Sequence, residues 1–225
     1  SLKRYNNEPV ALFTDCADII KNDLPDFIYK IEPIHTRSKI DYIQKSPFAK
    51  TLYLDSDTII NRNISDVFEV LTKYNVAVTI DTGRKRLYIA DLIPEYKDIP
   101  YAFSEINGGV LGFNSSDNTK RFLELWKMYF YKYYVKTNGW DQPSLRIALW
   151  ESGVEMLCLP TEYNVRSKSL IKKVNESKNK LGLEHMEPRI YHMHYYPEVR
   201  KGIYYDKSLE EVEKIIKKES NDIIY

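Results

Sequence analysis

The chain has 225 residues, with 33 Lys and Arg against 32 Asp and Glu and a formal net charge of +1. That balance excludes the global basic footprint of a nucleic-acid binder, and no apolar run approaches a membrane span, so no integral membrane segment is expected. The length suits a single α/β domain over 1–225 with one substantial core. Cys16 and Cys158 lie far apart without metal-type spacing, which with no visible signal peptide points to a reduced, cytoplasmic protein.

Ser1 to Asn7 reads as the end of a helix running into a loop. Val10 to Phe13 is a strand, and Phe27 to Ile34 suggests a second, shorter one. Ser38 to Gln44 is helical with Ile40 and Ile43 facing inward, and Pro47 ends it. The run Thr51-Leu52-Tyr53-Leu54 is a buried strand that stops at Asp55-Ser56-Asp57. Ser65-Asp66 offers an N-cap to a helix carrying Val67, Phe68, Val70 and Leu71, and Val76 to Ile80 is the next strand.

The segment from Asp81 to Glu105, with Pro94 and Pro100, reads as a long functional or disordered loop. Val110 to Phe113 is a strand preceded by the turn Asn107-Gly108-Gly109. From Asn118 to Val135, residues Phe122, Leu125, Trp126, Tyr129, Phe130 and Tyr133 recur at helical spacing and define a core face. Asp141 to Trp150 is a helix with Asp141 near its N-cap and Pro143 in its first turn. Val154 to Leu159 is a strand, Lys168 to Glu187 a solvated polar excursion, Ile190 to His194 a last strand, and Ser208 to Lys218 an amphipathic helix. The alternation of strands and helices predicts a mostly parallel sheet with helices on both faces.

Chemistry is expected at the Asp55-Ser56-Asp57 strand end, because open α/β sheets bind ligands where strands run out. Once the chain turns, both carboxylates can converge on one divalent cation, which prefers oxygen ligands; two solvated loop aspartates are the plainer alternative. LYLDSDTI is similar to the opening motif of haloacid dehalogenase-like phosphatases, where Asp55 would be a phosphorylated nucleophile and Asp57 a general acid. That motif opens the first strand, whereas two strands precede it here. After Asp141 only the isolated Asp206 and Asp222 could supply its late acidic pair.

A fuller set of stretches runs in order through the chain: SLKRYN, TLYLDSDTII, NGGVLGFN, WDQPSL, LPTEYNV and IYHMHYYPEVRKG. Together they resemble a GT-A-fold nucleotide-diphospho-sugar transferase of the glycogenin-like and bacterial galactosyltransferase-like kind, glycosyltransferase family 8. The resemblance implies a Rossmann-like GT-A domain that moves a sugar from a UDP-linked donor to a glycan or other hydroxyl acceptor with Mn²⁺ or Mg²⁺. It implies retention of anomeric configuration, and no residue stands out as the general base that inversion requires. Asp55 would touch the metal and the ribose, Asp57 would ligate the metal, and Ser56 lies between them at the nucleotide.

The third metal ligand would be His194, with His192 as the alternative on the same strand face. Pro197 replaces the glycine of the family's histidine loop, and Arg200 and Lys201 would reach the diphosphate. Asn107, Gly108 and Gly109 would place an amide beside the donor sugar. Asp141 and Gln142 would lie near the anomeric carbon, where helix capping equally explains Asp141. Arg37 and Lys39 would contact donor phosphates and sugar, and Glu105 and Trp140 would face the acceptor. The family has a strand ahead of the SLKR helix end that supplies much of its base pocket; these residues begin at SLKR, so either that strand lies upstream of them or nucleotide binding is arranged differently. A non-catalytic nucleotide-sugar-binding domain is the third reading. The sugar, the acceptor and the oligomeric state stay open.

Overall fold

The computed structural model describes residues 1–20, 25–81, 87–166, 168–183 and 185–193. In chain order they form α1 (Leu2–Tyr5), β1 (Ala11–Thr14), β2 (Phe27–Lys30), α2 (Lys39–Tyr42), β3 (Lys50–Leu54), β4 (Thr58–Ile60), α3 (Asp66–Val70) and β5 (Val76–Ile80). There follow α4 (Leu87–Leu92), α5 (Pro94–Asp98), β6 (Ile106–Asn114), α6 (Asp117–Tyr133), α7 (Gln142–Ser152), β7 (Met156–Cys158), α8 (Lys168–Leu181) and β8 (Ile190–His192). They divide into two compact units. Ser1–Asn6, Leu54–Ile64 and the stretch from Pro160 onward make the first; Asn7–Tyr53 and Ser65–Leu159 make the second.

The second unit is organised by α6. Ser116 caps it, its hydroxyl accepting from the Thr119 N–H at 3.3 Å. The predicted stripe is largely core: Phe122, Trp126, Tyr129, Phe130 and Tyr133 are buried and Leu125 is half-buried against them. Phe122, Trp126 and Phe130 pack with Leu145, Ala148 and Leu149 of α7 and with Val76 and Val78 of β5, while Tyr129 and Tyr133 pack with Ile93, Tyr96 and Ile147. The indole N–H of Trp126 donates to the Asp141 carbonyl at 3.1 Å, so the buried ring has its polar partner and ties α6 to the start of α7. Gly153 ends α7 in the left-handed region, φ 62°, which a residue without Cβ adopts readily.

The main sheet has the order β3-β6-β5-β7, and β1 and β2 pair in parallel as a separate two-stranded sheet. The α/β class holds, but the sheet is mixed: β5 runs parallel to β7 and antiparallel to β6. Alternating strands and helices read as parallel crossovers, yet a connection with two helices, α4 and α5, also lets the chain return antiparallel.

Other elements differ from expectation. The 81–105 segment carries α4 and α5, the second started by Pro94, and Lys168–Leu181 is a helix rather than an excursion. β6 begins at Ile106, so Asn107-Gly108-Gly109 lies inside a buried strand rather than in a turn before one. The turn reading keeps a basis, because the register shifts there: Val78 faces Leu111 while Thr79 faces Asn107. Residues 108–110 are thus the extra length of a bulge. The predicted helix over Ser208 to Lys218 lies outside the described residues.

In the first unit, β4 and β8 pair antiparallel, with Thr58 opposite His192 and Ile60 opposite Ile190. Val165 bridges to Tyr191. Side chains of the first residues close the edge: Ser1 Oγ accepts from the Ile60 N–H at 3.1 Å, and Asn6 Oδ1 accepts from the buried Ile64 N–H at 2.9 Å.

Candidate active site

β3 delivers Asp55, and the chain turns at once. The Thr58 N–H and hydroxyl both donate to the Asp55 carbonyl, at 3.2 and 2.8 Å. That turn brings the two carboxylates to one side, and β4 then carries the chain along β8. The β4–β8 register sets His192 beside them, reinforced by the Met193 N–H donating to the Asp57 carbonyl at 2.8 Å. His192 Nε2 lies 3.2 Å from Asp57 Oδ1 and 3.8 Å from Asp55 Oδ2. One ligand atom from each of the three residues falls within 4.8 Å of the others. Ser56 is exposed at the turn.

Asn164 completes the arrangement. Its Oδ1 faces His192 Nδ1 at 3.0 Å, with both residues buried. An amide oxygen only accepts, so in this orientation Nδ1 donates to Asn164 and Nε2 is the ring nitrogen that faces the two carboxylates. The set of two carboxylates and one imidazole fits a divalent cation, with Asn164 behind the ring. Asn164 was not singled out from sequence, and its signal was its place in the LPTEYNV stretch. His194, Arg200 and Lys201 lie outside the described residues.

In the second unit the predicted residues gather around Asp141. Lys39 Nζ is 3.0 Å from Asp141 Oδ2 and donates to the Gly108 carbonyl at 3.0 Å, and Arg37 Nε is 3.4 Å from Asp141 Oδ1. Asp141 holds the N-cap position of α7, yet its side chain makes no capping bond; two cations take the carboxylate instead. Burial works to raise the carboxyl, but Lys39 and Arg37 outweigh it and hold it below its ordinary value. A Cβ on Gly108 would meet Leu145 Cδ2 at 3.3 Å, Lys39 Nζ at 3.4 Å and Asp141 Oδ2 at 3.5 Å. The glycine accommodates this ion pair. Asn107 Oδ1 accepts from the Gly109 N–H at 3.0 Å and pins the bulge.

Gln142 lines a shallow surface depression with Ile89, Tyr96, Glu105, Trp140 and Pro143. Glu105 and Trp140 thus line the same depression. Burial pushes the Glu105 carboxyl up, against the opposing influence of Tyr96, Arg146 and Gln142. Arg146, fully buried, donates through Nη2 to the carbonyls of Pro100 at 3.2 Å and Phe103 at 2.6 Å. Burial draws its guanidinium below the usual value. Its sequence signal was a charge inside the apolar run of α7.

Residues 49–204 match the family model for nucleotide-diphospho-sugar transferases. The chain belongs to that family. No curated protein matches the sequence. Among solved structures, the glycosyltransferase GlyE of Streptococcus pneumoniae is similar, with 17% identity and a TM-score of 0.52 over 84% of this chain and 48% of that one. Mouse xyloside xylosyltransferase 1 shares 14% identity and a TM-score of 0.46 over 70% and 62%. The galactosyltransferase LgtC shares 14% and a TM-score of 0.46 over 72% and 58%. The chain thus spans 48% to 62% of the length of these solved chains. The likeness to GlyE concerns the fold alone. Among the described residues no helix is long and apolar enough to cross a membrane.

Proposed function

We propose that residues 1–225 form one catalytic domain that transfers a sugar from a UDP-linked donor to a hydroxyl of a glycan or other acceptor, with retention of configuration. The observation that carries this reading is the convergence of Asp55, Asp57 and His192 at a strand end, in a segment that the family model covers. Asp55, Asp57 and an imidazole would hold a divalent cation, Mn²⁺ or Mg²⁺, which when bound would supply Lewis-acid stabilisation to the leaving diphosphate. Family membership sets aside the phosphatase reading of the same aspartates.

The chain's own residues have distinct parts in this reading. Asp57 and Asp55 hold the metal, Asp55 and Ser56 meet the nucleotide, and the imidazole is His192 or His194. Arg200 and Lys201 reach the diphosphate. Asp141, held ionised by two cations, steadies positive charge developing at the anomeric carbon. Lys39 is only 7% exposed and holds Asp141, while Arg37, at 36%, keeps more reach toward donor phosphate. Asn107, Gly108, Gly109 and Gln142 frame the sugar. Cys16 and Cys158 are free, consistent with a reduced compartment such as the cytoplasm.

The test is release of UDP from a panel of UDP-sugars, with Mn²⁺ or with chelator. Activity should require the metal and disappear in Asp57→Asn with the melting curve retained. His192→Ala and His194→Ala then separate the two imidazoles. Full turnover by Asp57→Asn, or in chelator, would overturn the proposal.

A further inference from the structure

Two groups donate hydrogen bonds to the Glu105 carboxylate and a buried guanidinium faces it as an ion pair. The Tyr96 hydroxyl donates to Oε2 at 2.5 Å, Arg146 Nε lies 3.7 Å from the same oxygen, and Gln142 Nε2 donates to Oε1 at 3.3 Å. A carboxylate can only accept, whereas a glutamine amide has one donor end and one acceptor end. The carboxylate therefore decides which end of the Gln142 amide turns inward. The amide oxygen is left on the other side, and among the described residues none donates to it.

Glu105 is itself held firmly. Tyr96 and Arg146 are at most 1% exposed. The Arg146 guanidinium stacks 4.9 Å from the centre of the Tyr96 ring and is tethered to the carbonyls of Pro100 and Phe103. The Glu105 carbonyl accepts from the Asp81 N–H at 2.8 Å, fixing the backbone where β6 begins. Nothing in this arrangement needs Glu105 to meet a ligand.

We propose that Glu105 is a positioning residue: it locks the Gln142 side-chain amide with its oxygen turned toward the donor sugar. This rests on the proposed function, in which Gln142 lies beside the anomeric carbon. While Glu105 is ionised it only accepts and makes that orientation unique, whereas an amide at the same position permits both.

The experiment uses the full chain with Glu105→Gln, Gln142→Ala and the double variant, and UDP-glucose and UDP-galactose with Mn²⁺ as probes. Glu105→Gln should lower kcat by about 100-fold with donor KM nearly unchanged, the scale of a misplaced group at a reacting centre. In the Gln142→Ala background the same change should cost under about twofold, because Glu105 acts through Gln142. Equal losses in both backgrounds would overturn the proposal. A second readout does not depend on turnover. The side-chain ¹⁵N–¹H pair lost in Gln142→Ala identifies the amide, and its hydrogen exchange should be slow in the native chain and fast in Glu105→Gln. An amide unchanged by Glu105→Gln would refute the orientation even if neither donor is turned over, and such a lack of turnover would count against the proposed function alone.

Discussion

Replacing Lys39 with methionine probes the ion pair that holds Asp141. Methionine keeps the apolar stem but removes the ammonium, which bonds Asp141 Oδ2 and the Gly108 carbonyl, both at 3.0 Å. Removing one partner of a buried pair costs about 3–5 kcal/mol, since the other charge stays buried. Arg37 remains 3.4 Å from the second oxygen and offsets part of that. The expected loss is therefore about 2–3 kcal/mol, or roughly 5–10 °C in Tm for a chain of this size. Equilibrium urea unfolding measures it. Adding Asp141→Asn should recover about 1 kcal/mol, since the orphaned charge goes with it. The variant should also show a flatter acid limb. A carboxyl depressed in the folded state contributes stability above its unfolded value near 3.8, and loses it as pH falls through the folded value. A loss below about 0.5 kcal/mol, or strictly additive effects with Asp141→Asn, would refute the reasoning.

Burial alone would raise the Glu95 carboxyl, but Lys132 and Tyr133 outweigh it and hold it at about 2. Its contribution is thus complete above about pH 4.5 and fades toward pH 2, so Glu95→Gln should flatten the unfolding midpoint across that window; an unchanged slope would contradict the assignment. Asn164→Ala should weaken Mn²⁺ binding by about tenfold in calorimetry, the usual cost of losing a group that orients a ligating histidine. Unchanged affinity would separate His192 from the metal. Gly153→Ala should cost about 1 kcal/mol in urea unfolding from left-handed strain alone, because a Cβ there meets nothing within 4 Å.

Features written in local periodicity were legible from sequence, and features set by distant pairing were not. The α6 stripe repeats large apolar residues at helical spacing over most of its length, and nearly all of it is buried. β3 ending at the Asp pair was equally plain. β4 was missed because three residues carry no periodicity, and its partner β8 comes much later in the chain. α4 and α5 are short and sit among prolines, where composition favours a loop. Asp141 reads locally as a cap, and only the fold reveals that Lys39 and Arg37 reach its carboxylate. Arg146 looks like an ordinary charge until its burial against Tyr96 and Glu105 is seen.

The most direct test of the central claim is the melting temperature with UDP, measured with and without Mn²⁺ in the native chain and in Asp57→Asn. A ligand that binds only the folded state adds about 2.7 kcal/mol at a hundred times its Kd, roughly 5–10 °C here. The native chain should show that rise only when UDP and Mn²⁺ are both present, and Asp57→Asn should not show it. A shift that ignores Mn²⁺, or survives Asp57→Asn undiminished, would contradict a metal-bridged nucleotide at Asp55 and Asp57.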